Sequence, residues 1–182
     1  PDGVCHDFTG DWVIIPAGTF MMGSPEGELG RESNEQLHEV ILTRDFEILS
    51  TEVTQEDYTV FMGANPSYFD DCGDDCPVEN VNWNDAVRFC NALSESVGLD
   101  RCYERMSSGF MRPVAFANPY DCPGFRLPTE AEWEFAARAG TSTATYRGNL
   151  SYTQCYFDDA LTPIAWYCYW SGDVPHPVGI LY

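Results

Sequence analysis

Eight cysteines, at positions 5, 72, 76, 90, 102, 122, 155 and 168, are spread along a chain of 182 residues that contains no lysine. Cysteines at this density in an acidic chain point to an oxidising compartment, where thiols persist as disulfides. No Cys-x-x-Cys zinc pattern occurs. Cys72 and Cys76 are separated by Gly-Asp-Asp, which is not the spacing of a zinc knuckle.

The length suits one domain with room for a real core. The formal net charge is −20, and all nine basic residues are arginines. That balance argues against nucleic acid, because no basic patch could offset phosphate. It argues against binding to an anionic membrane surface for the same reason. The absence of lysine excludes Schiff-base chemistry on this chain. An acidic surface suits a salty exterior, a cationic partner or bound divalent ions, and plain solubility is the preferred reading. The chain starts at Pro1 without an apolar leader, as a processed chain or a fragment would. No apolar run reaches membrane-spanning length, so no membrane insertion is expected.

Residues 1–11 read as an irregular arm tied down by Cys5. "DWVIIPAGTFMMGS" reads as two short strands broken at Pro16 and Gly18, a hairpin-like entry. "PEGELGRESNEQ" is a polar loop, and "HEVILT" and "DFEILS" are two further strands. Three helices follow, each with a start signal. Thr54 with Asp57 resembles a capping box, Val53 can staple onto Tyr58, and Gly63 stops the helix after Met62. Asn82 caps a second helix whose apolar stripe is Ala86, Cys90, Leu93 and Val97, closed by Gly98. The third lies in "GFRLPTEAEWEFAARAG", Gly124 to Gly140. There Thr129 and Glu132 form a capping box, and Glu130, Glu132 and Glu134 sit near the positive end of the dipole. Arg138 falls in the last turn, Gly140 can take the left-handed position, and Trp133, Ala136 and Ala137 share the face expected to be buried. The insert between Cys102 and Cys122 reads as irregular. The remainder is loop-rich and aromatic, with "IAWYCYW" as a short strand. It stops at the apolar run "HPVGILY", as a domain cut partway would.

Several blocks, in order, resemble one family. "IPAGTFMMGS", "NEQLHEV" with "FEILSTEVTQEDYTVFM" and "NPSYF", "PVENVNWNDAVRFCNALSE", "GFRLPTEAEWEFAARAGT" and "HPVG" are similar to segments of the formylglycine-generating enzyme, or sulfatase-modifying factor, family. The resemblance implies an α+β fold: the formylglycine-generating-enzyme variant of the C-type-lectin-like fold, low in regular secondary structure, with three main helices, short strands and disulfide staples. It implies that residues 1–182 are a single domain, its N-terminal two-thirds. Active members of the family hold copper with two cysteines near the C-terminus and oxidise a substrate cysteine to formylglycine; soft thiolates suit Cu(I). No residue here matches those cysteines, so no catalytic residue carries over, and copper is expected only with the C-terminal third.

Within that frame Cys72–Cys76 closes a tight loop, Cys102–Cys122 staples the insert, and Cys155–Cys168 closes a loop near the end. This leaves Cys5 and Cys90. The position of Cys90 resembles a family cysteine that pairs with one in the C-terminal third, so here it is unpaired or paired with Cys5. A sharper alternative makes Cys90 a reactive or copper-binding thiol, but a cysteine on an apolar helix stripe is ordinarily inert. Asp70, Asp71, Asp74 and Asp75 in "FDDCGDDC" are a candidate calcium cluster, set against a solvated acidic turn. Asp158 and Asp159 are a weaker cation candidate. His6, His38 and His176 are scattered, and His38 reads as a structural hydrogen-bonder. The aromatics from Trp166 to Trp170 could line a carbohydrate or peptide groove; core packing is the preferred reading.

Two functions are expected. One is a secreted, periplasmic or cell-surface domain that is non-catalytic and serves binding or structural assembly, with a protein or glycan partner. The other is a fragment of a copper-dependent oxidase that converts a substrate cysteine to formylglycine.

Overall fold

The computed structural model describes residues 8, 10–114 and 119–181; Cys5 and His6 lie outside them. The chain divides into two compact units. One comprises residues 1–10 and 52–127, the other residues 11–51 and 128–182.

The second unit begins with four strands: β1 (Trp12–Ile15), β2 (Gly18–Met22), β3 (His38–Leu42) and β4 (Phe46–Leu49). β1 and β2 do not pair with each other as an entry hairpin would. β1 pairs antiparallel with β4, Trp12 opposite Leu49, and β2 with β3, Gly18 opposite Leu42. The two ladders are halves of one long antiparallel pairing, interrupted where Pro16, which lacks an N–H, sits. Two residues on one arm face three on the other, and Ala17 N–H closes the gap by donating to Asp45 Oδ1 at 2.8 Å.

Helix α3 (Glu130–Arg138) packs on the β2–β3 ladder. Its start is the expected capping box, with Thr129 accepting from Glu132 N–H and the Glu132 carboxylate accepting from Thr129 N–H. Ala139 and Gly140 both take left-handed conformations at its end. The buried face differs from the sequence reading. Trp133 is 61% exposed, whereas Glu132 is 1% exposed. Drawing the Glu132 carboxylate back to the cap sets the helix azimuth. Phe135 then points inward to Phe20, ring centroids 5.2 Å apart, and Trp133 and Ala137 point outward.

α3 also grips a loop. Glu134 Oε1 accepts from Gly23 N–H at 2.9 Å, and Arg138 Nη2 donates to Gly23 O at 2.7 Å. The two side chains pair with each other at 2.7 Å, both largely buried. Gly23 has φ +91, and a Cβ there would stand 2.7 Å from Gln36 O, so only glycine fits the clamp.

The first unit holds α1 (Gln55–Met62), α2 (Trp83–Ser96) and a hairpin of β5 (Tyr103–Arg105) with β6 (Met111–Pro113). The hairpin lies in the insert expected to be irregular. Gly109, at φ +91, supplies the left-handed residue its turn requires. α1 is capped by Thr54 and ended by Gly63 at φ 82. α2 has a full capping box from Asn82 and Asp85. Its buried residues are Val87, Phe89, Cys90, Asn91, Leu93 and Ser94, while Val97 is 53% exposed because it lies beyond the last helical turn.

The core gathers Val87, Cys90, Cys102 and Tyr103, with Met111, Cys122, Phe125 and Leu127 packed around them. Tyr58 stacks on Phe89, and the rings of Phe8 and Phe61 meet Phe89 edge-on. Two buried amides complete the unit. Asn91 exchanges two hydrogen bonds with the Tyr103 backbone. Gln55 donates to Phe69 O and accepts from Asn65 Nδ2, which holds the "NPSYF" loop.

"GFRL" docks against α2 and β5. Ser94, wholly buried, donates to Cys90 O and accepts from Phe125 N–H at 2.8 Å, and Tyr103 Oη accepts from Leu127 N–H at 3.0 Å. Between Leu127 and Pro128 the chain passes from the first unit to the second.

Candidate functional site

The disulfides are Cys72–Cys76, Cys102–Cys122 and Cys155–Cys168. Cys90 is a free thiol buried in the α2 core, and burial pushes its pKa up to about 12. At neutral pH it is a protonated packing group and neither a nucleophile nor a ready ligand. A copper ion held by two thiolates therefore does not fit the described residues. Six cysteines are oxidised in pairs and the seventh is alone and protonated.

Among the described residues no group of three or more His, Cys, Asp or Glu side chains is gathered to hold a metal ion. Asp70, Asp71, Asp74 and Asp75 instead belong to a short 3-10 turn and a disulfide loop laid against the start of α1. Glu56 N–H donates to Asp74 O and Gln55 N–H to Cys76 O, so the loop's carbonyls satisfy N–H groups that the helix start leaves over. Its negative charge suits that end of the dipole.

Asp158 is bonded into its own loop. It is buried, and its carboxylate accepts from Ser151 N–H at 2.6 Å, Ala160 N–H at 2.9 Å and Leu161 N–H at 3.2 Å. These donors, Ser151 first, hold its pKa below the usual carboxylate value. Tyr167 Oη adds a second knot beside it. It donates to Tyr156 O, meets Thr162 Oγ1 at 2.8 Å and accepts from Asp158 N–H. With Cys155–Cys168 across the base, residues 151–168 form a loop tied at three points.

Because the folded pKa of Asp158 lies below the unfolded one, its ionised form favours the folded state. That contribution is full above the unfolded carboxylate value, about pH 4, and is lost as pH falls through the folded value. Asp158→Asn is expected to lower the melting temperature at pH 7. It should also flatten the fall in melting temperature below about pH 5 that the parent shows. Parallel acid-side curves of equal slope would rule this out.

The tied loop and the two residues after it present aromatic rings outward; of the segment Trp166 to Trp170, expected to pack in the core, Trp166 and Tyr167 are half-buried and Tyr169 and Trp170 exposed. Tyr152, Tyr156, Phe157 and Tyr169 are each about half exposed, and Trp170 is 37% exposed. "IAWYCYW" is not a strand. Its amides bond back three or four residues, as in Trp170 N–H to Tyr167 O, and wind it into turns. Trp166 is clasped between Trp170 and His176, centroids 4.1 and 3.8 Å away. His176 Nε2 donates to Ser171 O, and His38 Nδ1 to Gln36 O. Sequence reasoning missed Tyr167 as the hub. No local pattern marks a tyrosine whose hydroxyl ties the backbone of a loop eleven residues back.

Short antiparallel ladders, three capped helices and disulfide-tied loops define the formylglycine-generating-enzyme variant of the C-type-lectin-like fold. Residues 4–171 match the sulfatase-modifying factor enzyme 1-like domain, and the chain belongs to that family. It is 33% identical to Treponema denticola variable protein 1, whose structure superposes with a TM-score of 0.73 over 94% of this chain and 65% of that one. It is also 34% identical over 141 residues to the chaperone protein LppX of Paenibacillus barcinonensis, covering 72% of this chain and 47% of the relative. The chain thus spans less than two thirds of either protein. No helix among the described residues is long and apolar enough to cross a membrane.

Proposed function

We propose that this chain is a non-catalytic formylglycine-generating-enzyme-like domain that works outside the cytoplasm, secreted, periplasmic or at the cell surface, and binds a protein partner. The exposed aromatic face of the tied loop, Tyr152 to Trp170, carries the reading. Tyrosine and tryptophan supply large contact area at low entropic cost, and a loop already fixed by Asp158, Tyr167 and Cys155–Cys168 loses little freedom on binding. The disulfides suit an oxidising compartment. The LppX relative is named a chaperone protein, which favours a protein over a glycan as the partner.

The family itself favours a second reading, a piece of a copper-dependent oxidase acting on a cysteine of another protein. Incubation of the 182-residue protein with copper, oxygen and a cysteine peptide tests whether the chain is non-catalytic. Unchanged peptide mass is expected, and formylglycine would sink the first reading. Binding is tested on peptide and glycan arrays with the parent and with Tyr156→Ala/Trp170→Ala. Peptide signals that fall at least about tenfold in the variant are expected. Signals on glycans alone, or signals indifferent to the variant, would refute the protein-binding face.

A further inference from the structure

The chain carries nine arginines against 29 acidic residues, and three of the nine line one cleft. The cleft has a volume of about 280 Å³ and lies in the first unit, between α2, the β5–β6 hairpin and the end of α1. Arg88, Arg101 and Arg105 surround it, with Glu95 as its one carboxylate and Met62 and Met111 on its walls.

The arginines are weakly engaged. Arg88 touches Asp85 through one nitrogen at 3.4 Å, with both side chains partly exposed. Arg101 pairs with Glu95 at the surface. Exposed pairs of this kind are worth little and exchange readily for a better anion. Among the described residues Arg105 has no carboxylate partner, although most charged groups of this protein are acidic. The cleft is therefore a local cationic spot on a chain of net charge −20. Its floor is rigid, because Asn91 is spent on the Tyr103 backbone and Tyr103 on Leu127 N–H.

We propose that this cleft binds a small organic oxyanion, a phosphate, sulfate or carboxylate group carried on an apolar body. The planar guanidinium fork of Arg105, with Arg88 and Arg101 beside it, matches two oxygens of such a group, which a point charge would not. Met62 and Met111 take the apolar body, and thioethers pack well against rings. The volume, about 280 Å³, lies just below the usual range of about 300–1,000 Å³ and suits a ligand of one ring or less. The site is independent of the aromatic face, which belongs to the other unit.

The test is calorimetric titration of the intact protein with phenyl phosphate, inorganic phosphate and benzyl alcohol. Phenyl phosphate is expected to bind, and to bind at least about tenfold more tightly than either the anion or the apolar body alone. Its affinity should weaken with added salt. Arg105→Ala should cost about tenfold or more, consistent with loss of a charged hydrogen bond. Arg112→Ala, whose guanidinium is paired with Glu104 outside the cleft at 2.7 Å, should leave affinity unchanged. Arg105 is exposed, so its variant folds, and an unchanged melting temperature verifies that. Repeating the titration with benzoate and phenyl sulfate then ranks the oxyanions. No binding of any of the three aryl anions up to about 10 mM, or equal loss in Arg105→Ala and Arg112→Ala, overturns the proposal.

Discussion

Gly124→Ala is expected to destabilise the protein by about 3 kcal/mol or more, a large fraction of the roughly 5–15 kcal/mol that holds a domain folded. The reason is steric and local. A Cβ at this position would lie 2.1 Å from Asp100 O, 2.7 Å from Ser94 Oγ and 3.1 Å from Ser94 Cβ. Asp100 O is backbone, so no rotamer change relieves the contact. Ser94 is itself wholly buried and committed to Cys90 O and Phe125 N–H. Any shift of "GFRL" away from α2 would also pull Phe125 and Leu127 off the core. Urea unfolding followed by tryptophan fluorescence measures the effect. A midpoint within error of the parent's would show that Gly124 can move without cost. Ser94→Ala serves as a companion. It removes the hydroxyl that accepts from Phe125 N–H and donates to Cys90 O, and is expected to cost about 1–3 kcal/mol.

The second large effect is that of the Cys102–Cys122 bridge. Both cysteines belong to the core of the first unit, and the bridge closes a separation of 20 residues. Constraining the unfolded chain over a loop of that length contributes about 3 kcal/mol in the chain-entropy picture. Replacing both with alanine also removes the buried sulfur of Cys102 and the half-buried one of Cys122, so the total loss should reach about 4 kcal/mol. The same double replacement at Cys155 and Cys168 should cost less, because those cysteines are exposed and Asp158 and Tyr167 still tie the loop. Thermal unfolding of the two variants in parallel checks the order. A larger loss at Cys155–Cys168 would mean that the tied loop depends on its disulfide rather than on its carboxylate and hydroxyl knots.

The signature "GFRLPTEAEWEFAARAG" shows how far local pattern reaches. Thr129, Glu132 and Gly140 announce the limits of α3, and the structure has them there. The pattern leaves open what the helix is for. Glu134 and Arg138 clamp Gly23, more than a hundred residues earlier, and "GFRL" docks through Ser94, about thirty residues earlier. Tryptophan seemed the natural buried residue of the segment, yet a carboxylate holds the interior position because its cap is inside.

The acidic loop is similar. Four clustered aspartates suggested a cation, and only the fold revealed that the loop's carbonyls serve the start of α1. In each case the sequence displays residue types, whereas the burial of a polar group depends on a partner far away in the chain.

By itself, then, the sequence determined the features whose causes lie within about four residues: three helix starts, their glycine or left-handed stops, and the first four strand segments. Its spread of matching blocks also determined the family. Tertiary structure alone decided the pairing of β1 with β4, the azimuth of α3, the exposure of the ring-bearing loop and the gathering of Arg88, Arg101 and Arg105. The physical reason is range. Capping and turn formation minimise energy over neighbouring residues, while burial and charge gathering are set by which distant surfaces exclude water together.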